Sequence, residues 1–331
     1  MKELLIYLLD STAWSMDKPG LFGSIHIIAF MLTAASAVLA AMLFSRLIAS
    51  RTSARQSLQA SRTSAGAGTG VEAGRHFAGT HSMQAIDHQA ALVKVLSVTG
   101  WILILLEAYK QLFIYYVINS GVYDWWFFPF QLCSVPMYLC ILLPFTHGSL
   151  RSTFLTFMSG YTFISSVAAL IFPQDYLRSY ITLTAHGFIW HGLLLFISLT
   201  IFMTGNALPA ATGRGFANDL KSILRAAMLF AVLCAAAVII NAAAEPAMQS
   251  AYTAGLIPHD YAAMFYLNPF HISPQPLVSD VQKAFGIPAG LILYALTIAA
   301  ASSITTLLAG RHGSFRIRSG SHSKSHPSED I

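Results

Sequence analysis

Apolar residues run through this chain in long blocks separated by polar connections. They do not form the half-apolar stripe of a surface helix or the alternation of an exposed strand. Seven blocks, at roughly 21–45, 91–117, 127–147, 153–173, 180–204, 220–243 and 286–309, are long enough to cross a membrane at ~20 residues each. The pattern predicts an all-α polytopic membrane protein of about seven transmembrane helices. Residues 1–20 contain an apolar run, Leu4 to Leu9, that is followed by Asp10, Asp17 and Lys18. That run is too short for a signal peptide and reads as an interfacial segment.

The connections differ in kind. Residues 46–90 are rich in Ser, Ala, Gly, Thr and Arg, with Phe77 the one aromatic from Ser50 to Gln89. They read as a disordered cytoplasmic linker after the first crossing at 21–45. The basic tail, 310–331, reads the same way. Between them, 91–309 hold the other six crossings. A loop at 245–285 carries Tyr266-Leu267-Asn268-Pro269-Phe270 and several prolines. It has too many apolar and aromatic residues for a plain solvated loop and is expected to pack over one mouth of the bundle as a lid.

Composition sharpens the class. Of 331 residues, 55% are hydrophobic and 10% charged, and the mean hydropathy is +0.61, outside the range of soluble domains. The net charge of +5 raises nucleic acid as a partner, but the basic residues sort by membrane side. Arg46, Arg51, Arg55, Arg62 and Arg75, then Arg151, then Arg214, Lys221 and Arg225, then Arg311, Arg316, Arg318 and Lys324 all fall on one face of an alternating bundle. The other face shows Asp124, Asp175, Glu245, Asp260 and Asp280 against Arg178 and Lys283. The positive-inside rule then puts the N-terminus outside and the C-terminus in the cytoplasm, and no nucleic-acid partner is expected.

Polar residues inside the crossings are costly and therefore informative. Cys133 falls about six residues into the third block, roughly 9 Å deep at helical rise. The block reads as a kinked helix because of Pro129 and Pro136. His26, Glu107, Gln131, His186 and Asn241 come from other parts of the same level, with His191 slightly deeper. Each has a plain packing reading beside the functional one. Cys133 suits a small apolar filler, and His191 or Gln131 a hydrogen bond between helices. His26 suits an interfacial anchor, and Glu107 with Lys110 a self-neutralising pair. His186 and His191 are about 140° apart round a helix, which argues against a shared metal. The three cysteines lack zinc or redox spacing, and no cofactor is expected.

The order of landmarks resembles a known family. Phe22-Gly23 with His26 opens the first crossing, and Pro129-Phe130-Gln131-Leu132-Cys133-Ser134 opens the third. His191 sits in the fifth, Asn241 near the end of the sixth, and the Tyr-Leu-Asn-Pro-Phe loop containing Asn268 precedes the seventh. In that order they resemble the YwaF-like integral membrane proteins of bacteria. Many members have His where this chain has Gln131. That family is similar to an animal membrane phospholipid acyltransferase that uses a cysteine on this crossing and a histidine on the later one. The resemblance implies Cys133 as nucleophile and His191 as its base. It implies membrane lipids as partners (a phospholipid donor and a lysolipid acceptor) and a multi-pass protein of a bacterial plasma membrane.

An unperturbed thiol, with a pKa of ~8.5, is only a few per cent thiolate at neutral pH, so a neighbouring base is required. Gln131 or Asn241 would serve as oxyanion donors, and His26, Glu107, His186 and Asn268 as further substrate-binding groups. A second class stays open. The polar cluster and the lid also suit a non-enzymatic sensor or transporter for a lipid or small molecule. The absence of an internal repeat weighs against a transporter built from duplicated halves.

Overall fold

The computed structural model describes residues 2–11, 13–65, 73–205, 216–275 and 277–319. It is all-helical, and among the described residues the only strand-like pairing is an isolated antiparallel bridge between Ser15 and Tyr180. The helices in chain order are α1 (Lys2–Ser11), α2 (Ser24–Ala65), α3 (Ala73–Phe113), α4 (Val135–Leu142), α5 (Gly148–Ile171), α6 (Ile181–Met203), α7 (Phe216–Thr253), α8 (Val278–Phe285) and α9 (Ile287–Ser319). Among the described residues six stretches are long and apolar enough to cross a membrane: Ser24–Ser50, His88–Ile118, Gly148–Ile171, Ile181–Met203, Asn218–Thr253 and Ile287–Ala309. The chain is a polytopic membrane protein.

The predicted third crossing departs from a kinked helix. Only Val135–Phe145 is helical and apolar there. Before it come a single 3-10 turn, Trp125–Phe127, and irregular chain through Ser134. Proline explains the break. Pro129 bars helical backbone at the residue before it, and Phe128 is accordingly extended, with φ −54° and ψ 134°. Pro136 falls in the first turn of α4, where its missing N–H costs nothing. Pro144 then ends the helix in a further 3-10 turn, Leu143–Phe145. Cys133 therefore precedes α4 and does not lie on it. Irregular backbone at membrane depth survives where it is buried in protein or lines a cavity.

The other boundaries shift outward. α2 continues to Ala65 and α3 begins at Ala73, so most of the expected linker is helical and 66–72 lie outside the described residues. An Ala-, Ser- and Arg-rich sequence with no proline between Pro19 and Pro129 extends an anchored helix without a new nucleation cost. α7 runs through Pro246 to Thr253, so Glu245 is helical and the loop begins about two and a half turns later than predicted. α9 continues to Ser319, and the rest of the predicted tail lies outside the described residues.

α6 is the centre of the bundle, touching α2, α3, α5 and α9, while α5 also packs on α7 and α9. Two close approaches fix this. A Cβ on Gly192 would lie 2.6 Å from Thr33 of α2, and one on Gly160 would lie 2.5 Å from the Ser302 carbonyl of α9. With no hydrophobic drive between helices in lipid, such small-residue contacts supply the packing. The start of α6 is also tied to the chain after α1, where Ile181 N–H donates to the Trp14 carbonyl and Met16 N–H to the Ser179 carbonyl.

Candidate functional site: a cavity beside the broken crossing

A cavity of about 340 Å³ opens where the third crossing is irregular. Helical spacing brings one face of each neighbour to it. α3 and its continuation supply Glu107, Lys110 and Ile114. α5 supplies Ser165, Ala168 and Ala169, with Phe172 just past its end, and α9 supplies Tyr294 and Ile298. α6 supplies Leu183, His186, Gly187, Trp190 and His191. The irregular segment adds Gln131, Cys133 and Ser134, and the long loop adds Phe265, Tyr266 and Gln275.

Cys133 and His191 thus line one cavity. The Cys133 carbonyl accepts a hydrogen bond from Trp190 Nε1 at 3.2 Å, which ties the irregular segment to α6. His191 Nδ1 lies 2.8 Å from the Gly187 carbonyl. A carbonyl only accepts, so Nδ1 carries a hydrogen, and in the neutral ring Nε2 is the basic nitrogen. No partner for Nε2 occurs among the described residues. Tyr176 stacks on the His191 ring at 4.9 Å and 21°, and its hydroxyl donates to the Ala169 carbonyl at 2.8 Å. Gly187 makes that stack possible, since a Cβ there would lie 2.2 Å from Tyr176 Cδ2.

His186, one turn earlier, points Nε2 at the Leu106 carbonyl of α3, 3.0 Å away, and stacks on Trp190. Glu107 pairs with Lys110 at 2.8 Å and accepts from Gln111 Nε2 at 2.7 Å. The same Gln111 nitrogen reaches the Phe127 carbonyl at 2.6 Å, tying α3 to the aromatic turn before the break.

Gln131 and Asn241 hold the long loop. Gln131 Nε2 donates to the Ala263 carbonyl at 3.0 Å, and its Oε1 accepts from Phe265 N–H at 2.8 Å. Asn241 makes the same two-way contact with Met264, at 3.0 Å and 2.7 Å. The turn between them is strained, with φ at 54° for Phe265 and 56° for Tyr266. Left-handed backbone costs a bulky residue about 1–2 kcal/mol, which these side-chain bonds offset. Asn268 organises the next turn, donating to the Ala262 carbonyl at 2.8 Å and accepting from Phe270 and His271 N–H. Two histidine–carboxylate contacts complete the fastening: His259 with Asp124 at 2.7 Å and His271 with Glu245 at 2.6 Å.

Five of the sequence-predicted residues therefore meet at the cavity: Cys133, His191, Gln131, Glu107 and His186. Asn241, Asn268 and His26 do not line it. The side-chain polar atoms of Asn241 and Asn268 are committed to loop backbone. His26 accepts from Phe22 N–H at 3.0 Å and faces the Leu170 carbonyl at 3.0 Å, joining α2 to the end of α5. Sequence reasoning missed Trp190, Tyr176, Arg178 and Tyr294. Trp190 was legible as the residue between His186 and His191 on the cavity face of α6. Among the described residues no group of His, Cys, Asp or Glu has metal-holding geometry.

No curated protein and no solved structure matches the chain. The TMEM164 family model matches residues 21–304, which takes in every cavity-lining residue and all but the last turn or so of the final crossing. The chain belongs to the TMEM164 family.

Proposed function

We propose that the protein is a phospholipid acyltransferase working through an acyl-thioester on Cys133. The observation that carries this reading is the shared cavity, in which Cys133 lies with a His191 ring whose Nδ1 is held by Gly187, leaving Nε2 as the base. The resemblance to the YwaF-like proteins supports it and assigns the same two residues. It also supports a bacterial plasma membrane as the location.

The chemistry balances. His191 Nε2 takes the thiol proton as Cys133 Sγ attacks an ester carbonyl carbon of the donor phospholipid. The tetrahedral intermediate collapses with cleavage of the acyl carbon–oxygen bond. His191 returns its proton to the departing lysolipid oxygen, and the acyl group remains on sulfur. In the second half His191 takes the proton of an acceptor lysolipid hydroxyl, which attacks the thioester. The thiolate leaves and is reprotonated by His191. Gln131 lines the cavity and has a second amide hydrogen beyond the one given to Ala263, so it is the donor of choice for the oxyanion, a contribution of about 3 kcal/mol in such sites. Asn241 is spent on Met264 and is left out of this role. The apolar walls from α5 and α9 keep water scarce and favour transfer over hydrolysis.

The test is acyl exchange between a phospholipid and an isotope-labelled lysolipid in nanodiscs. Exchange is expected from the parent protein and lost in Cys133→Ala. Unchanged exchange in that variant would end the proposal.

A second reading rests on the Glu107–Lys110 pair in the same cavity: a non-enzymatic sensor or transporter for a lipid or small molecule. A ligand whose affinity depends on Glu107 and not on Cys133 would favour it.

The sidedness of the basic residues supports an N-terminus outside and a C-terminus in the cytoplasm, which places the cavity in the outer half of the membrane. Labelling of an added N-terminal cysteine by an impermeant reagent in intact cells tests this.

A further inference from the structure

Arg178 lines the cavity beside Asp175 and Tyr176, in the connection between α5 and α6. One guanidinium N–H is spent, from Nη2 to the Asp175 carbonyl at 2.9 Å. The group lies over the Phe127 ring, 5.1 Å from its centroid, a contact that helps hold the cation at the cavity wall. Its other donors have no partner among the described residues.

The surrounding carboxylates are all engaged elsewhere. The Asp175 carboxylate receives the Tyr266 hydroxyl. Asp124 takes Trp126 N–H and His259, and Glu107 takes Lys110 and Gln111. Burial pushes the Arg178 guanidinium below its ordinary value, while Asp175 and Asp124 oppose that from a distance. Of the two permanent cations in the cavity lining, Lys110 has its ion pair and Arg178 has none among the described residues.

We infer that Arg178 is the anchor for the phosphate of a glycerophospholipid whose ester enters the cavity, and that it is the residue by which the site selects phospholipid over uncharged glyceride. A planar fork with free donors matches two phosphate oxygens. Its position three residues before α6, beside the ends of two crossings, is the level at which lipid phosphates lie. The same phosphate chemistry is offered by a soluble phosphodiester. The apolar faces of α5 and α9 on the same cavity favour the lipid source. This deepens the proposed function by naming how its substrate class is read.

The test is equilibrium binding, independent of acyl transfer, on the full chain in detergent micelles with Cys133→Ala to silence chemistry. The probes are phosphatidylethanolamine with a fluorophore on one acyl chain and diacylglycerol with the same labelled chain, read by anisotropy. Arg178→Gln is expected to weaken the phospholipid by about tenfold or more and leave diacylglycerol unchanged. Arg178→Lys, with its charge and no fork, is expected to fall between. Equal losses for both probes, or no loss for either, would overturn the proposal. Unlabelled lysophospholipid is expected to displace the probe at far lower concentration than free glycerophosphoethanolamine, and equal displacement would overturn the lipid source. Whether an acyl-thioester forms on Cys133 is read separately by mass, so failure of the enzymatic reading leaves this result legible, and the reverse holds too.

Discussion

His191 donates its Nδ1 hydrogen to the Gly187 carbonyl one turn earlier, at 2.8 Å, while Gly187 also leaves room for the Tyr176 ring that stacks on His191. One glycine therefore sets both the tautomer and the plane of the proposed base. In His191→Gln the base is gone, and acyl exchange is expected to fall ~10²–10⁴-fold. The measurement is exchange in nanodiscs beside thermal stability, which locates the loss in chemistry and not in folding.

Gly187→Ala tests the support of that ring. The added Cβ meets Tyr176 Cδ2 at 2.2 Å, so the tyrosine must leave its stack. Overpacking of this kind costs about 1–3 kcal/mol. A lower melting temperature is expected together with lost exchange. A second change, Tyr176→Ala, is expected to restore stability but not full exchange.

Trp190→Phe keeps the ring and removes the Nε1 hydrogen that holds the Cys133 carbonyl at 3.2 Å. A stability loss of only about 1 kcal/mol is expected. Misplacement of the nucleophile is expected to lower kcat by about tenfold or more with KM little changed. A parallel change in KM would point to substrate binding instead.

Gln131 and Asn241 grip the same turn from different parts of the chain, at Ala263, Met264 and Phe265. Gln131→Ala and Asn241→Ala each leave backbone groups unpaired in a buried place, at about 1–3 kcal/mol. Their effects are expected to be non-additive, because one release frees the strained turn for both. Limited proteolysis within 254–277 and thermal unfolding of the double variant measure this. Strict additivity would contradict a shared clamp.

The parts of the site that lie on long helices were legible in the sequence. The spacing of His186, Trp190 and His191 spreads them over an arc of about 140° on α6, wide enough to line a cavity, and the polar level shared by Glu107 and Cys133 follows from counting residues along each crossing. The third crossing was harder. Pro129, Pro136 and Pro144 were visible, but membrane helices tolerate single prolines, so a kink was the natural reading of a break. The roles of Gln131 and Asn241 were out of reach, since the Gln131 contact with Phe265 spans 134 residues and no local pattern encodes it. The length of α2 and α3 was misjudged for a different reason. A polar, small-residue composition signals weak burial, yet it does not oppose continuation of a helix already anchored in the membrane.

The most direct measurement is the intact mass of the purified protein in phospholipid nanodiscs, parent beside Cys133→Ala, before and after hydroxylamine. A fatty-acyl increment on the parent, removed by hydroxylamine and absent from Cys133→Ala, is the expected result. With no lysolipid acceptor added, so that the acyl group has nowhere to go, an unmodified mass of the parent would contradict an acyl-thioester on Cys133.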